Sequence, residues 1–397
     1  MTRRSLIAVL LVPIVLVAGI WLGGHPDSLP GFVRDSSLVD RSPQARVLDE
    51  ALDIIESDYY REVDRSELLD ESLEAGVESL DDSFSAYFDP DSFQHFRDVT
   101  SGGFEGVGMT VEGVSRGLRI ANIFKGSPAD RAGLKPGDVI LSAGSETLAG
   151  KTTTQATALI KGPRGTSVDL RVVSDGRERQ VSVERDRVDV PVVEARMRTT
   201  GGERIGHVAL SSFTAGAHGE VRRAVRELLD DGAEGIVLDL RDNGGGLLNE
   251  AVLVSSIFIP EGTIVSTKGR SRPRRIFEAS GPSIDRDVPV SVLVNRNSAS
   301  ASEIVAGAIQ DRERGTVVGT RTFGKGVFQE VQQLSNGGAL DITVGQYYTP
   351  SGKNLGGGGT RRGAGIETDV QARDDADTER RDEALQAALR TVARVGD

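Results

Sequence analysis

The chain opens on a continuous apolar run from Leu6 to Leu22, interrupted only by Pro13 and Gly19 and preceded by Arg3 and Arg4. Such a run lies at the lower limit of a bilayer span and a little above the core of a signal peptide. The basic residues ahead of it keep the N-terminus inside and put the rest of the chain on the extracytoplasmic side. No A-x-A site follows, so residues 1–24 read as a single-span anchor, with a cleaved signal peptide as the alternative. Residues 25–42 are rich in Pro, Gly, Ser and Asp and read as a linker. From 43 to 80 the apolar period is helical, first at Val47, Ala51, Ile54 and Ile55, then at Leu69, Leu73 and Val77. Asp81-Asp82-Ser83 and Asp89-Pro90 then punctuate the chain, closing a linker and N-terminal helical region over 25–99.

Between 100 and 187 the period shortens. Strands are predicted after Gly106-Val107-Gly108-Met109, at Leu118–Ile123, at Val139-Ile140-Leu141, and as a pair at Val168–Val173 and Arg179–Glu184. Short helices are expected at Ser127-Pro128-Ala129 and at Thr153–Ile160. This pattern suits a small, partly open β-barrel. From 188 to 370 strands and helices alternate, which predicts a layered α/β domain. Its expected helices are an amphipathic one carrying Val221, Ala224, Val225, Leu228 and Leu229, then Leu247–Ile259 and Ser302–Asp311. Its expected strands are Ile236–Leu240, Val288–Asn295, Thr316–Gly319, Val327–Leu334 and Ala339–Tyr348. Residues 371–397 complete the chain as a charged linker and a terminal helix from Asp382 to Val395. The whole is a multidomain α/β protein.

Composition narrows the chemistry. The net charge of −12 argues against a protein that grips nucleic acid through its phosphates. With no cysteine, disulfides, thiolate metal sites, cysteine nucleophiles and a lipoprotein anchor are all excluded. The four histidines, His25, His95, His207 and His218, show no metal-ligand spacing. His207 falls in an apolar strand and reads as a core or edge residue, while His218 near a helix start reads as facing water. Neither invites a Ser-His-Asp triad.

Three stretches remain. In Ser298-Ala299-Ser300-Ala301-Ser302-Glu303 a serine sits where a buried strand turns into a helix. There the next amide lies in the unpaired first turn and can serve a developing oxyanion, although serine is also a common helix cap. In Thr322-Phe323-Gly324-Lys325-Gly326-Val327-Phe328-Gln329 a lysine stands between glycines at the start of an apolar strand, and a two-residue period would put Lys325, Val327 and Gln329 on one face. Free lysine titrates near 10.4, so about one in 2,500 is neutral at pH 7, and burial must supply about 4 kcal/mol to make it a general base. The plain alternative is a surface lysine in a turn. In Asp239-Leu240-Arg241-Asp242-Asn243-Gly244-Gly245-Gly246 the glycines can shape a row of amide donors, or simply a permissive loop. Together these stretches supply a nucleophile, a base and oxyanion donors, the parts of acyl transfer.

The sequence resembles the carboxyl-terminal processing proteases, serine peptidases with a Ser-Lys dyad. The resemblance extends from about 43 to 390. It is dense at Val237-Leu238-Asp239-Leu240-Arg241 with its glycines, at Ser298–Asp311, at Thr322–Gln329 and at Tyr347-Tyr348-Thr349-Pro350-Ser351-Gly352. It implies a nucleophile at Ser300, its base at Lys325, 25 residues on, and an orienting glutamine at Gln329. The oxyanion donors would be the amides of Ala301 and Gly246, and Ser298 and Ser302 would be decoys. Asp311 matches an acidic position taken as structural. The family also implies a PDZ domain at 100–187, whose Gly106-Val107-Gly108-Met109 loop would bind the C-terminal carboxylate of a protein substrate and receive its apolar last residue. The protease core at 188–370 would be crotonase-like, with no cofactor and no metal. An adaptor or activator protein is a further family expectation. The helices at 43–80 and 383–395 resemble family dimer segments, which leaves a homo-oligomer open against helices that are merely packed or solvated. Two other readings compete: a catalytically inert PDZ scaffold, and, on fold analogy alone, an acyl-CoA enzyme of the crotonase type.

Overall fold

The computed structural model describes residues 42–358, 364–373 and 382–395. The anchor expected over Leu6–Leu22 lies outside them, and among the described residues no helix is long and apolar enough to cross a membrane. The chain divides into two compact units, residues 1–76 and 77–397.

The first unit holds α1 (Pro43–Asp58), and α2 (Arg65–Glu78) begins in it. The hydroxyl of Ser42 accepts the Ala45 amide at 3.2 Å and Pro43 follows, a preorganised helix start. Arg65 reaches Asp49, Asp53 and Glu56, which lie along one face of α1. These pairs are exposed and contribute little.

The second unit begins with an element the sequence pattern hid. Asp81-Asp82-Ser83 and Asp89-Pro90 look like breaks, yet they flank a strand, β1 (Ala86–Phe88), and start a helix, α3 (Pro90–Thr100). Asp89 caps α3 by accepting the amides of Asp91 and Ser92, and Pro90 occupies its first position, so the apparent breaker is a helix start.

The small domain follows. β2 (Gly103–Gly106) is matched later by β9 (Asp186–Asp189), an antiparallel pair at its neck. Between them come β3 (Met109–Val114), β4 (Gly117–Ile123), α4 (Pro128–Arg131), β5 (Val139–Ala143), β6 (Glu146–Thr147), α5 (Thr153–Ile160), β7 (Ser167–Ser174) and β8 (Arg177–Glu184). The sheet order is β3-β4-β5-β7-β8, with β6 added to β5. Alternating residues Leu118 and Ile120, Val168, Leu170 and Val172 point into one core with Ile140, Ala156 and Ile160. A reciprocal capping box between Thr152 and Gln155 fixes the start of α5. β3 ends the sheet, so its outer edge is unpaired within it.

The large domain runs through β10 (Val193–Thr200), β11 (Glu203–Leu210), α6 (Ala217–Asp230), β12 (Gly235–Asp239), α7 (Leu248–Phe258), β13 (Thr263–Lys268), β14 (Arg275–Glu278), β15 (Val290–Val294), α8 (Ala301–Asp311), β16 (Thr316–Gly319), β17 (Val327–Gln333), β18 (Ala339–Tyr348), β19 (Val370–Gln371) and α9 (Glu383–Val395). One sheet has the order β10-β11-β12-β15-β16-β19, parallel from β11 onward. Period-two alternation sorts its two faces. Ile236, Leu238, Val290, Val292 and Val294 pack under α6, α7 and α8. Ile205, Val237, Leu293 and Val318 pack under Ala384, Leu385, Ala388, Leu389 and Val392 of α9. This is the layered arrangement that the alternating pattern predicts. A second sheet, β1-β18-β13-β14 with β17 on β18, is antiparallel.

α9 covers one whole face of the parallel sheet, and Leu389 is buried there at 1% exposure. Leu389→Ala removes the methyl groups from a site closed by sheet on one side, and is expected to cost about 2–4 kcal/mol in urea unfolding of the full chain. A loss under about 1 kcal/mol would mean that α9 is not part of the cooperative core.

Candidate active site

Three serines crowd the turn from β15 into α8, and their hydroxyls separate them. Ser298 Oγ donates to the Leu240 carbonyl at 2.7 Å and accepts the Asn295 amide. Ser302 Oγ donates to the Asn243 carbonyl at 2.8 Å. Both therefore pin the turn to the end of β12. Ser300 is different. It is buried at 7% exposure, its φ is +55°, and its hydroxyl faces the buried phenol of Tyr347. A non-glycine residue in that region costs of order 1–3 kcal/mol and persists only where its surroundings enforce it.

Glu303, one turn into α8, does the enforcing. It is fully buried. Its Oε2 accepts the amides of Ser300 and Lys325, each at 2.9 Å, and its Oε1 accepts the Thr322 hydroxyl at 2.6 Å and the Gly324 amide at 2.7 Å. Burial raises its pKa, and these four donors oppose the rise. One carboxylate thus joins the serine turn to the lysine loop. The motif Ser-x-x-Glu was visible in the sequence, but the pattern reads as helix capping, and nothing in it announces the three bonds to a loop some twenty residues away.

Lys325 is half-buried. Its Nζ lies 4.6 Å from the centre of the Phe84 ring. Burial lowers its pKa, while the charges of Asp341, Asp82 and Glu303 push it back up. Asp341 is itself raised by burial and held down by Lys325. Asp82 is anchored by the Ser85 hydroxyl and the Phe84 amide. Among the described residues no hydrogen bond joins Lys325 Nζ to Ser300 Oγ. Gln329 donates through Nε2 to Thr343 Oγ1 at 2.8 Å. The expected common face for Lys325, Val327 and Gln329 does not form, because Lys325 precedes β17 and a bulge between Phe328 and Gln329 breaks the alternation. Asp82, Phe84, Asp341, Thr343 and Tyr347 all belong to this site, and sequence reasoning missed them. Asp82 and Phe84 sit in the stretch taken as punctuation, and the others lie on β18, where only the pairing of β1, β17 and β18 reveals what they meet.

The glycine loop passes directly beneath Ser300. A Cβ on Gly245 would come within 2.9 Å of Ser300 Cβ and 3.1 Å of the Ala301 nitrogen, and its φ is +109°, so only glycine fits. The amide of Gly245 is spent on Asn243 Oδ1 at 2.9 Å. No hydrogen bond from the amides of Ala301 and Gly246 is seen among the described residues. The loop is held from behind. Arg241 grips Asp239 and, through Nη1 and Nη2, Asp382 at the start of α9, both at 2.8 Å. Burial opposes the Arg241 charge, but both carboxylates raise its pKa overall. His207 Nε2 lies 3.1 Å from the same Asp239, as a strand histidine serving the core. The expectation that His218 simply faces water is corrected: its Nδ1 lies 2.8 Å from the buried carboxylate of Glu250, which also accepts the amides of Gly216 and His218 and so ties the starts of α6 and α7 together. Asp311 caps the far end of the site scaffold by accepting the Ser351 amide at 2.9 Å, a structural role.

In the small domain, Gly106 ends β2, Gly108 has φ +82°, and Met109 starts the edge strand β3. The carbonyl of Val107 accepts the Ala129 amide, and that of Gly108 accepts the Phe124 amide and the Ser127 hydroxyl. The loop is thereby fixed against α4. The Val107 side chain is a core residue at 4% exposure. Met109 and Val111 are only partly buried and pack against that core.

Residues 204–372 match the model of peptidase family S41, and residues 119–174 match a PDZ domain. The chain is 31% identical over 370 residues to a CtpA-like serine protease of Staphylococcus haemolyticus, covering 92% of this chain and 72% of that protein. It is 33% identical to a CtpA-like serine protease of Staphylococcus aureus, of which it spans 63%. It is 37% identical over 284 residues to the carboxyl-terminal-processing protease of Synechocystis, covering 70% of this chain and 66% of that one. The solved photosystem II D1 C-terminal processing protease is 30% identical, with 88% and 90% of the two chains covered and a TM-score of 0.47. The chain therefore belongs to peptidase family S41, as a serine-type peptidase of the C-terminal processing kind that carries a PDZ domain.

Proposed function

We propose that this is an exported endopeptidase that binds the C-terminal tails of protein substrates on its PDZ domain and cleaves them with a Ser300-Lys325 dyad. The observation that carries the reading is the shared Oε2 of Glu303. It takes the amides of both residues at 2.9 Å, so their backbone nitrogens lie no more than about 6 Å apart. In this reading neutral Lys325 accepts the Ser300 proton as the oxygen attacks the peptide carbonyl. The amides of Ala301 and Gly246 hold the oxyanion, and water then resolves the acyl-enzyme. In this reading the Lys325 side chain moves from its resting position over Phe84 onto Ser300 before chemistry. Gln329, released from Thr343, would then steady the ammonium nitrogen. Export rests on the Arg3-Arg4 pair and the apolar run behind it. The domain boundaries proposed are 100–187 for the PDZ domain and 188–370 for the protease core. The inert-scaffold reading has no use for a buried carboxylate that braces a serine and a lysine together.

Tail recognition is tested with two unstructured substrates that differ only in the last residue, valine or aspartate. The valine tail is expected to be cut at least about tenfold faster, because an aspartate would bring a second, unpaired carboxylate into an apolar pocket. Met109→Asp should erase that difference. Equal cleavage of both tails by the unsubstituted chain would remove the PDZ from substrate choice, and equal cleavage by Ser300→Ala would remove the dyad.

A further inference from the structure

The turn between β13 and β14 is strongly basic in an acidic protein. Lys268, Arg270, Arg272, Arg274 and Arg275 place five cations in eight residues with no acid among them, in a chain of net charge −12. Only Arg272 is neutralised by a carboxylate among the described residues, that of Glu330. Arg274 meets the Ser266 hydroxyl at 3.2 Å, and Arg275 lies 4.7 Å from the centre of the Phe277 ring. Lys268, Arg270, Arg274 and Arg275 are exposed.

Strand pairing places this turn at the rim of the candidate active site. Lys268 lies opposite Gln346 of β18, and Gln346 lies opposite Val327 of β17, two residues after Lys325. Two strand spacings amount to about 10 Å. On the same strand, Thr267 lies opposite Tyr347, whose phenol faces Ser300. A polypeptide approaching Lys325 from the Lys268 end of β13 therefore comes within the field of several unpaired cations. Such a field concentrates and orients an oppositely charged segment, and is screened by salt.

We propose that the β13–β14 turn is a specificity element that selects substrates with an acidic segment beside the scissile bond. The inference rests on the peptidase reading for its purpose, but its binding test does not. Two fluorescent peptides share one apolar C-terminus and differ by glutamates against glutamines in the segment ahead of it. Their binding to the full chain carrying Ser300→Ala is followed by anisotropy. The acidic peptide should bind about tenfold tighter at low salt. That ratio should fall towards one in about 0.5 M salt, and also on adding Lys268→Ser, Arg270→Ser and Arg274→Ser, with the circular dichroism spectrum checking the fold. A ratio of one before substitution, or a ratio that survives it, overturns the proposal. So does binding of phosphatidylglycerol vesicles through these residues without any preference between the peptides. Cleavage by the chain with Ser300 intact is read separately. A turn-dependent preference in a chain that cuts neither peptide would sink the peptidase reading alone. Equal affinity with efficient cleavage would sink the specificity element alone.

Discussion

Replacing Lys325 with methionine is expected to lower kcat/KM for tail cleavage by at least about 10³-fold, to the same floor as Ser300→Ala. Methionine keeps the apolar stem of the lysine as far as Cε, and what is lost is the titrating nitrogen together with its contact over the Phe84 ring. The pH profile gives the sharper result. A protonated lysine cannot accept the serine proton, so activity should rise with pH along a limb that reports the loss of that proton. Burial moves the limb below the ordinary lysine value, and Asp341, Asp82 and Glu303 move it back. Asp341 heads those opposing charges, so Asp341→Asn should shift the limb towards lower pH and raise the neutral-pH rate relative to the plateau. Rates measured from neutral to alkaline pH on one substrate decide it. A limb that stays put in Asp341→Asn would show that another group titrates.

The elements that carry these groups were legible in the sequence to very different degrees. α8 and β16 follow their apolar periods closely, because each is largely buried and packing rewards the pattern, whereas β18 keeps its expected bounds while most of it is only half-buried. Local chemistry alone does not separate the three serines; the resemblance singles out Ser300, and the structure adds the physical difference, in that the hydroxyls of Ser298 and Ser302 are bonded to backbone carbonyls. The acidic surroundings of Lys325 were out of reach for another reason. Asp82 and Asp341 lie roughly 240 and 16 residues from it in opposite directions along the chain, and they meet only because β1 and β17 both pair with β18. The segment from Asp81 to Pro90 misled because Asp and Pro mark helix starts as well as breaks.

Glu303 should be the least replaceable polar side chain in the molecule. Glu303→Ala strands four donors, the Ser300, Gly324 and Lys325 amides and the Thr322 hydroxyl, in a site without water access, and is expected to cost about 3–5 kcal/mol in urea unfolding. Glu303→Gln matches the shape and should still fail. Whichever way the amide turns, its NH₂ faces at least one backbone N–H that can only donate: those of Ser300 and Lys325 on one side, and that of Gly324 beside the Thr322 hydroxyl on the other. A loss of about 2–4 kcal/mol is expected, together with a fall of about 10²-fold in kcat as Ser300 relaxes from its positive φ and drifts from Lys325. The pH dependence separates these effects. Burial raises the folded pKa of Glu303 above its unfolded value. Between the two values the folded chain holds a proton that the unfolded chain has released. The contribution of this group is therefore fully present below the unfolded pKa and is lost as pH rises through the folded one. The stability gap between the unsubstituted chain and Glu303→Gln should accordingly narrow from acid towards neutral pH. A gap that widens instead would mean that the four donors outweigh burial and hold Glu303 ionised, in which case Ser300 and Lys325 are braced by a permanent buried charge.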